Sequence, residues 1–215
     1  MYEFVRGPLL WVTFIIFGVG MIYRIVSLIS LSLKKDKVVY NHFSFGWALR
    51  SILHWLLPLN QTVKQYPGYT IVAFTFHICL LVVPIFLLAH NILWYESWKI
   101  SWWTISDTLA DYMTLIMIAA ALFLIVRRMV LPYVRIITAP IDYLLLIVAA
   151  LPFVTGYFAY HQWINYKVML IIHILCGELM LILIPFTKLA HMILFFFTRA
   201  HIGSEFGQRR GTKTW

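Results

Sequence analysis

Of 215 residues, 62% are hydrophobic and 12% charged, and the apolar residues come in long runs instead of at the spacing of amphipathic surface helices. That excludes an ordinary water-soluble domain, and it removes nucleic acid as the explanation of a formal net charge of +9, which has to be assigned loop by loop. Cys79 and Cys176 both lie in apolar runs; without a C-x-x-C-H or a cysteine cluster there is no site for covalent haem or for an iron–sulfur centre, and both read as small buried hydrophobes.

Five stretches are long enough to cross a bilayer, each needing about 20 apolar residues: 9–33, 69–95, 108–126, 141–160 and 168–198. The expectation is an all-α integral membrane protein, a five-helix bundle forming one domain over residues 1–200, followed by a polar tail over 201–215. The first run starts near the N-terminus without a basic n-region and is too long for a cleaved signal, so it reads as a retained span.

Basic residues orient the spans. Lys34, Lys35, Lys37, Arg50, Lys64, Arg127, Arg128, Arg135, Arg199, Arg209, Arg210 and Lys213 fall on one side, against Arg6, Lys99 and Lys167 on the other, with Arg24 and Lys188 inside spans. The positive-inside rule then puts the N-terminus outside and the C-terminus in the cytoplasm, in the cell inner membrane. Trp94, Trp98, Trp102 and Trp103 fit an outer interfacial belt.

Between the first two spans, residues 41–60 are too short and too mixed to cross. Phe43, Trp47, Ile52 and Trp55 against Arg50 and His54 suggest an interfacial helix, either a docking surface or a plain connector. From Gly203 to Trp215 the chain reads as loosely structured or ordered by a partner.

The last span carries His173 and His191. They are eighteen residues apart, five whole turns of a continuous helix, so both rings would leave one face roughly 27 Å apart. The second span carries His77 and His90 and runs in the opposite direction. Antiparallel packing would bring His90 toward His173 on the outer side and His77 toward His191 on the inner side. Two cross-helix imidazole pairs at two depths suit two planar macrocycles, each held by one histidine from each helix. Thirteen residues separate His77 from His90, which in an ideal helix leaves the rings about 140° apart. Pro84 between them can kink or unwind the span and so alter that phase. With both axial positions filled by histidine, such an iron would transfer electrons, and each ring would need a backbone carbonyl or similar acceptor for its second nitrogen.

The fifth-span pattern His173-x-x-x-Gly177 through Pro185-Phe186-x-x-Leu189-x-His191 resembles the haem-b gamma subunit of respiratory nitrate reductase. The stretch Arg127-Arg128-x-x-x-Pro132-x-Val134-Arg135-x-x-Thr138-x-x-x-Asp142-x-Leu144-Leu145-Leu146 is similar to that family's loop between spans three and four. The longer His77–His90 spacing, Ile184-Pro185-Phe186-Thr187-Lys188 and Gly177-Glu178 look nearer to its relatives in heterodisulfide-reductase-like and sulfate-reducer transmembrane complexes. The resemblance implies two b haems, one on His90 and His173 and one on His77 and His191. It also implies electron exchange between a membrane quinone, here menaquinone, and a cytoplasmic iron–sulfur subunit, with a periplasmic cytochrome c as a further candidate partner. The chain would be non-catalytic alone, or the quinone-reacting subunit of an oxidoreductase complex.

Lys188, Arg128 and Arg135, with Arg127, are candidates to pair with the propionates of the inner haem; the plainer alternative is positive-inside anchoring. Glu178, five residues beyond His173 in an apolar segment, is either a proton relay or a structural hydrogen-bonding group. Lys99, Asp107, Asp111 and His161 are the polar residues expected near the outer side, where quinol oxidation must release protons. Two other readings stay open: a haem-free anchor or assembly protein whose histidines bridge helices, and a proton-conducting transporter, which would predict an inverted repeat that the chain does not show.

Overall fold

The structure, a computed structural model, describes residues 1–35, 37–57, 59 and 61–213. Pro58 and Asn60 in the segment after the first span, and Thr214 and Trp215 in the tail, lie outside the described residues, as do Asp36 and the side chains of Lys37 and Val39. All regular secondary structure among the described residues is helical, without strands. A short turn, Tyr2–Phe4, and a π turn, Val5–Leu9, lead into α1 (Leu10–Lys35). Then come α2 (Phe45–Leu56), α3 (Pro67–Phe86), α4 (Leu88–Trp98), α5 (Asp107–Val130), α6 (Pro140–His161), α7 (Tyr166–Leu183) and α8 (His191–Ser204).

Five helices are long and apolar enough to cross a membrane: Tyr2–Lys35, Pro67–Phe86, Asp107–Val130, Pro140–His161 and Tyr166–Leu183. Their surfaces agree with a lipid environment. On α1, Ile15, Val19, Ile22 and Val26 recur at helical spacing and each is more than half exposed, an arrangement that water would penalise at roughly 25 cal/mol per Å².

The chain divides into two compact units. The first comprises Met1–Leu9 and Ile71–Met180. Its core joins Phe76, Cys79 and Val83 of α3 to Met117, Ala120 and Ala121 of α5 and to Ala149 and Phe153 of α6. The buried alanines on α5 and α6 lack bulk, which is what lets helix backbones approach inside a membrane. Asp142 Oδ2 accepts from Ala139 N at 2.9 Å and so closes the first turn of α6. Arg6 pairs with Glu96 at the edge of this unit.

The expected second span, 69–95, is interrupted. Leu87 is extended, with φ −70° and ψ 132°, and separates α3 from α4 three residues after Pro84. Pro84 cannot donate to Leu80 O, which weakens the turn before it; the break itself falls after Phe86, where Leu87 turns extended. Three consecutive carbonyls that would have bonded along a continuous helix find other donors. Pro84 O accepts from His90 Nδ1 at 2.9 Å, Ile85 O from Trp102 Nε1 at 2.8 Å, and Phe86 O from Ile105 N at 3.0 Å. Asn91 Nδ2 donates to Trp102 O at 2.6 Å and fixes the same loop from the other side. In the absence of water each orphaned carbonyl would be costly, which accounts for this bracing.

The second unit comprises Leu10–Thr70 and Leu181–Trp215. The expected fifth span, 168–198, is likewise not one helix. α7 ends at Leu183, a turn passes through Pro185, a 3₁₀ turn covers Lys188–Ala190, and α8 starts at His191. The five-turn phase argument for His173 and His191 therefore does not apply: Pro185 has no N–H to continue the ladder.

Met21 of α1 packs with Ile184 and Ala190 around this turn, and a Cβ on Gly20 would meet Pro185 Cβ at 2.8 Å. Only glycine allows that approach. The 41–60 segment folds into α2, which lies along α8. A Cβ on Gly203 would stand 2.4 Å from Ser51 Cβ, and one on Gly207 would stand 2.3 Å from the Trp47 ring, so both glycines are contact surfaces for α2. Ser204 Oγ accepts from Ser44 N at 2.8 Å.

The tail is more ordered than its composition suggests. A π turn over Glu205–Arg209 continues from α8, and Glu205 Oε1 accepts from Arg209 at 2.6 Å and from Arg210 at 3.1 Å.

Candidate functional site

His90 on α4 and His173 on α7 meet within the first unit. Their ring centres are 6.0 Å apart and their planes lie 12° from parallel. Each Nδ1 contacts a carbonyl at 2.9 Å, that of Pro84 for His90 and that of Pro152 on α6 for His173. A carbonyl only accepts, so each Nδ1 carries the proton and each Nε2 the lone pair. Thr155 Oγ1 stands 3.4 Å from His173 Nδ1, and a Cβ on Gly156 would come within 3.0 Å of the His173 ring. One turn of α6, Pro152 to Gly156, thus supplies the acceptor and the clearance that set this ring.

The geometry can be tested against a metal. An imidazole nitrogen binds a first-row metal at about 2.0–2.1 Å and lies roughly 1.1 Å from its ring centre, so two imidazoles on opposite sides of one ion have centres roughly 6.2 Å apart. The His90–His173 separation agrees with that value. Among the described residues no three His, Cys, Asp or Glu side chains converge as the ligand set of a bare metal ion. The pair offers at most two nitrogen donors, so it could serve a group that brings its other donors with it.

His77 and His191 show the same anchoring. His77 Nδ1 donates to Ala73 O at 2.7 Å on its own helix, and His191 Nδ1 to Lys188 O at 2.8 Å. His77 belongs to the first unit and His191 to the second. His191 opens onto a cavity of about 350 Å³ within the second unit, whose wall includes Arg24, Lys188, Phe195, Thr198 and Arg199. Of these, His191, Phe195, Thr198 and Arg199 form one stripe of α8. Arg199 lies over the Trp55 ring of α2 at 4.0 Å. Lys188 is thus beside His191, whereas Arg128 and Arg135 are in the first unit, where Arg128 Nη1 donates to Thr138 Oγ1 at 3.4 Å.

The expected outer polar residues fare unequally. Asp111 on α5 and His161 at the end of α6 are paired, Oδ1 to Nε2 at 2.9 Å, beside Tyr157 and Trp163, whose ring centres lie 4.3 and 5.4 Å from that of His161. Lys99 caps α4 in the left-handed conformation and places its ammonium 5.1 Å from the Tyr95 ring centre. Asp107 stands in the first turn of α5, which Ser106 caps by accepting from Leu109 N. Glu178 is 3% exposed and neither of its oxygens has a hydrogen-bond partner among the described residues, so the structural hydrogen bond expected of it is not found there.

Several contributors escaped the sequence reading. Pro152 accepts from His173 through its carbonyl and Gly156 leaves that ring clearance, for which no sequence pattern exists; Trp102, expected only in the interfacial belt, donates to Ile85 O beside the helix break. Arg24 and Arg199 did leave a signal: Arg24 follows Gly20 by one turn, and Arg199 lies eight residues after His191 on one helix face.

No family model and no solved structure matches the chain. A protein of Nitratidesulfovibrio vulgaris (strain Hildenborough) is 37% identical over 219 residues, covering 100% of this chain and 97% of the relative.

Proposed function

The chain belongs to one family with that Nitratidesulfovibrio vulgaris protein, and we propose that it is a di-haem b membrane subunit that transfers electrons between a quinone, menaquinone by preference, and a cytoplasmic iron–sulfur partner. The observation that carries this reading is the His90–His173 pair: two near-parallel imidazoles 6.0 Å apart, with both Nδ1 protons committed to carbonyls. His77 and His191 share that anchoring and are proposed as the second axial pair. The sequence resemblance to the gamma subunit of respiratory nitrate reductase and its relatives points the same way.

A bound haem would supply a one-electron iron couple with no coordination site left for oxygen or substrate. The chain's own residues supply the rest. The Pro84 and Pro152 carbonyls hold the imidazoles in the Nδ1–H tautomer, which raises their basicity as ligands. The apolar core that α3, α5 and α6 form in the same unit would help exclude water from a haem held there. The Asp111–His161 pair, Oδ1 to Nε2 at 2.9 Å, is a candidate base for a quinol proton, since the carboxylate fixes the imidazole. Glu178 is a second proton-handling candidate, and Lys99 and Asp107 are further polar groups for the quinone side.

The distribution of lysine and arginine supports an N-out orientation in the cytoplasmic membrane, with α2 at the inner surface. A periplasmic cytochrome c is a further candidate partner.

The deciding experiment is a pyridine haemochrome assay on the detergent-purified chain. Two b haems per chain, reduced by a menaquinol analogue, are expected; a protein expressed with ample haem that binds none would end this reading.

A further inference from the structure

The cavity at His191 shows how an inner cofactor would be oriented. We infer that Arg24, Lys188 and Arg199 form the propionate-binding end of the haem site to which His191 contributes an axial nitrogen, an assignment that rests on the function proposed above.

Three independent features converge on these residues. The first is Arg24 itself. It interrupts the apolar run of α1, eleven residues before the end of that helix, where a guanidinium is unfavourable unless it meets an anion. Gly20 and Met21 bring α1 against Pro185, Ile184 and Ala190, and one turn later the same face delivers Arg24 to the cavity wall. The second is the charge balance. The lining contains three cations and no carboxylate, in a cavity whose other walls include Leu194 and Phe195. A ligand with an apolar body and an anionic edge matches that division. The third is preorganisation. Arg199 lies over the Trp55 ring at 4.0 Å, and His191 Nδ1 is held by the Lys188 carbonyl, so the imidazole and one of the cations are each held by a neighbour within the second unit.

The cavity volume of about 350 Å³ lies within the roughly 300–1,000 Å³ range of cofactor sites. An iron porphyrin combines the apolar plate, the two carboxylates and the requirement for an axial imidazole. A phospholipid phosphate would satisfy the arginines alone and would leave His191 without a role.

The test uses the full-length chain in nanodiscs of neutral lipid, with Arg24→Gln, Arg199→Gln and the double variant. The readouts are haem stoichiometry, a redox titration and the rate of haem loss to apomyoglobin. Removing a cation beside a propionate leaves its negative charge uncompensated and favours ferric iron. One of the two haems is therefore expected to titrate at lower potential and to be lost about tenfold faster, the size typical of a disrupted outer-sphere contact. Its low-spin bis-imidazole spectrum persists, and Arg24→Lys restores most of the shift.

The other haem, on His90 and His173, serves as an internal control for folding. Two haems with unchanged potentials and unchanged loss rates in the double variant would overturn the inference while leaving the proposed function intact. So would a shift that appears only when anionic lipid is varied, which would identify a lipid headgroup as the ligand. A wild-type chain without haem would overturn both.

Discussion

The two histidine-bearing regions are built on different principles. In the first unit, His90 and His173 are set by neutral backbone: the carbonyls of Pro84 and Pro152, a hydroxyl at Thr155 and the bare Cα of Gly156. In the second unit, His191 is anchored by a carbonyl too, but its surroundings are cationic, with Arg24, Lys188 and Arg199 on the same cavity. One region specifies ring orientation, the other charge. A helix break underlies both: where Leu87 turns extended, Pro84 O is left for His90 Nδ1, and near Pro185, which has no N–H, one helix ends so that another can begin on His191.

That contrast can be broken most forcefully by removing a ligand. His173→Ala is expected to abolish about one of the two haems, read by the pyridine haemochrome assay, and His191→Ala the other. Retention of two haems in either variant would sink the ligand assignment. A crowding test addresses orientation alone. Gly156→Val inserts atoms against the His173 ring, and overpacking of this kind costs about 1–3 kcal/mol. It should lower the thermal midpoint and broaden the spectrum of one haem, whereas the same change at Gly18, where an added Cβ meets nothing within 4 Å, should do neither.

A comparable cost of about 1–3 kcal/mol is expected for Gly203→Val, whose side chain would collide with Ser51 and the Trp47 carbonyl. Because this contact belongs to the second unit, it should loosen α2 from α8, detectable as faster proteolysis between residues 41 and 60, with the His173-dependent haem retained. Trp102→Phe removes the donor to Ile85 O at the helix break. About 0.5–1.5 kcal/mol of stability should be lost, together with a measurable shift in the His90-dependent haem spectrum.

The smallest effect is expected at Asp111→Asn. The pair with His161 is partly exposed, so its stability contribution is about 0.2–1 kcal/mol at most. If it accepts the quinol proton, quinol oxidation slows while haem content stays constant; an unchanged rate would remove it from the quinone site.

Much of the architecture was legible in the sequence. Membrane-length apolar runs are written residue by residue, because a span must satisfy its own backbone and present an apolar surface to lipid, so five helices long and apolar enough to cross follow from the chain alone. The suspicion that Pro84 disturbs the phase between His77 and His90 was legible for a similar reason, since the missing N–H is a local property. Boundaries set by local competition were not. The break falls at Leu87, where Trp102 and Ile105 offer donors from a distant loop, and the last apolar run divides at Pro185 although its composition reads as continuous. The tail also misled: the polarity of Glu205, Arg209 and Arg210 suggests looseness until Glu205 is seen gathering both arginines.

The candidate site divides in the same way. Residue type and spacing singled out His77, His90, His173 and His191 as candidates, because imidazole at membrane depth is rare and costly. Which nitrogen carries the proton, which carbonyl receives it, and which arginine reaches the cavity depend on atoms brought together from separate helices. Charge and side of the membrane pointed to Lys188, Arg127, Arg128 and Arg135 and gave no such role to Arg24 or Arg199. Gly20 against Pro185 and Trp55 beneath Arg199 go with the placing of Arg24 and Arg199 on the cavity of the second unit, and such contacts exist only once the helices have packed.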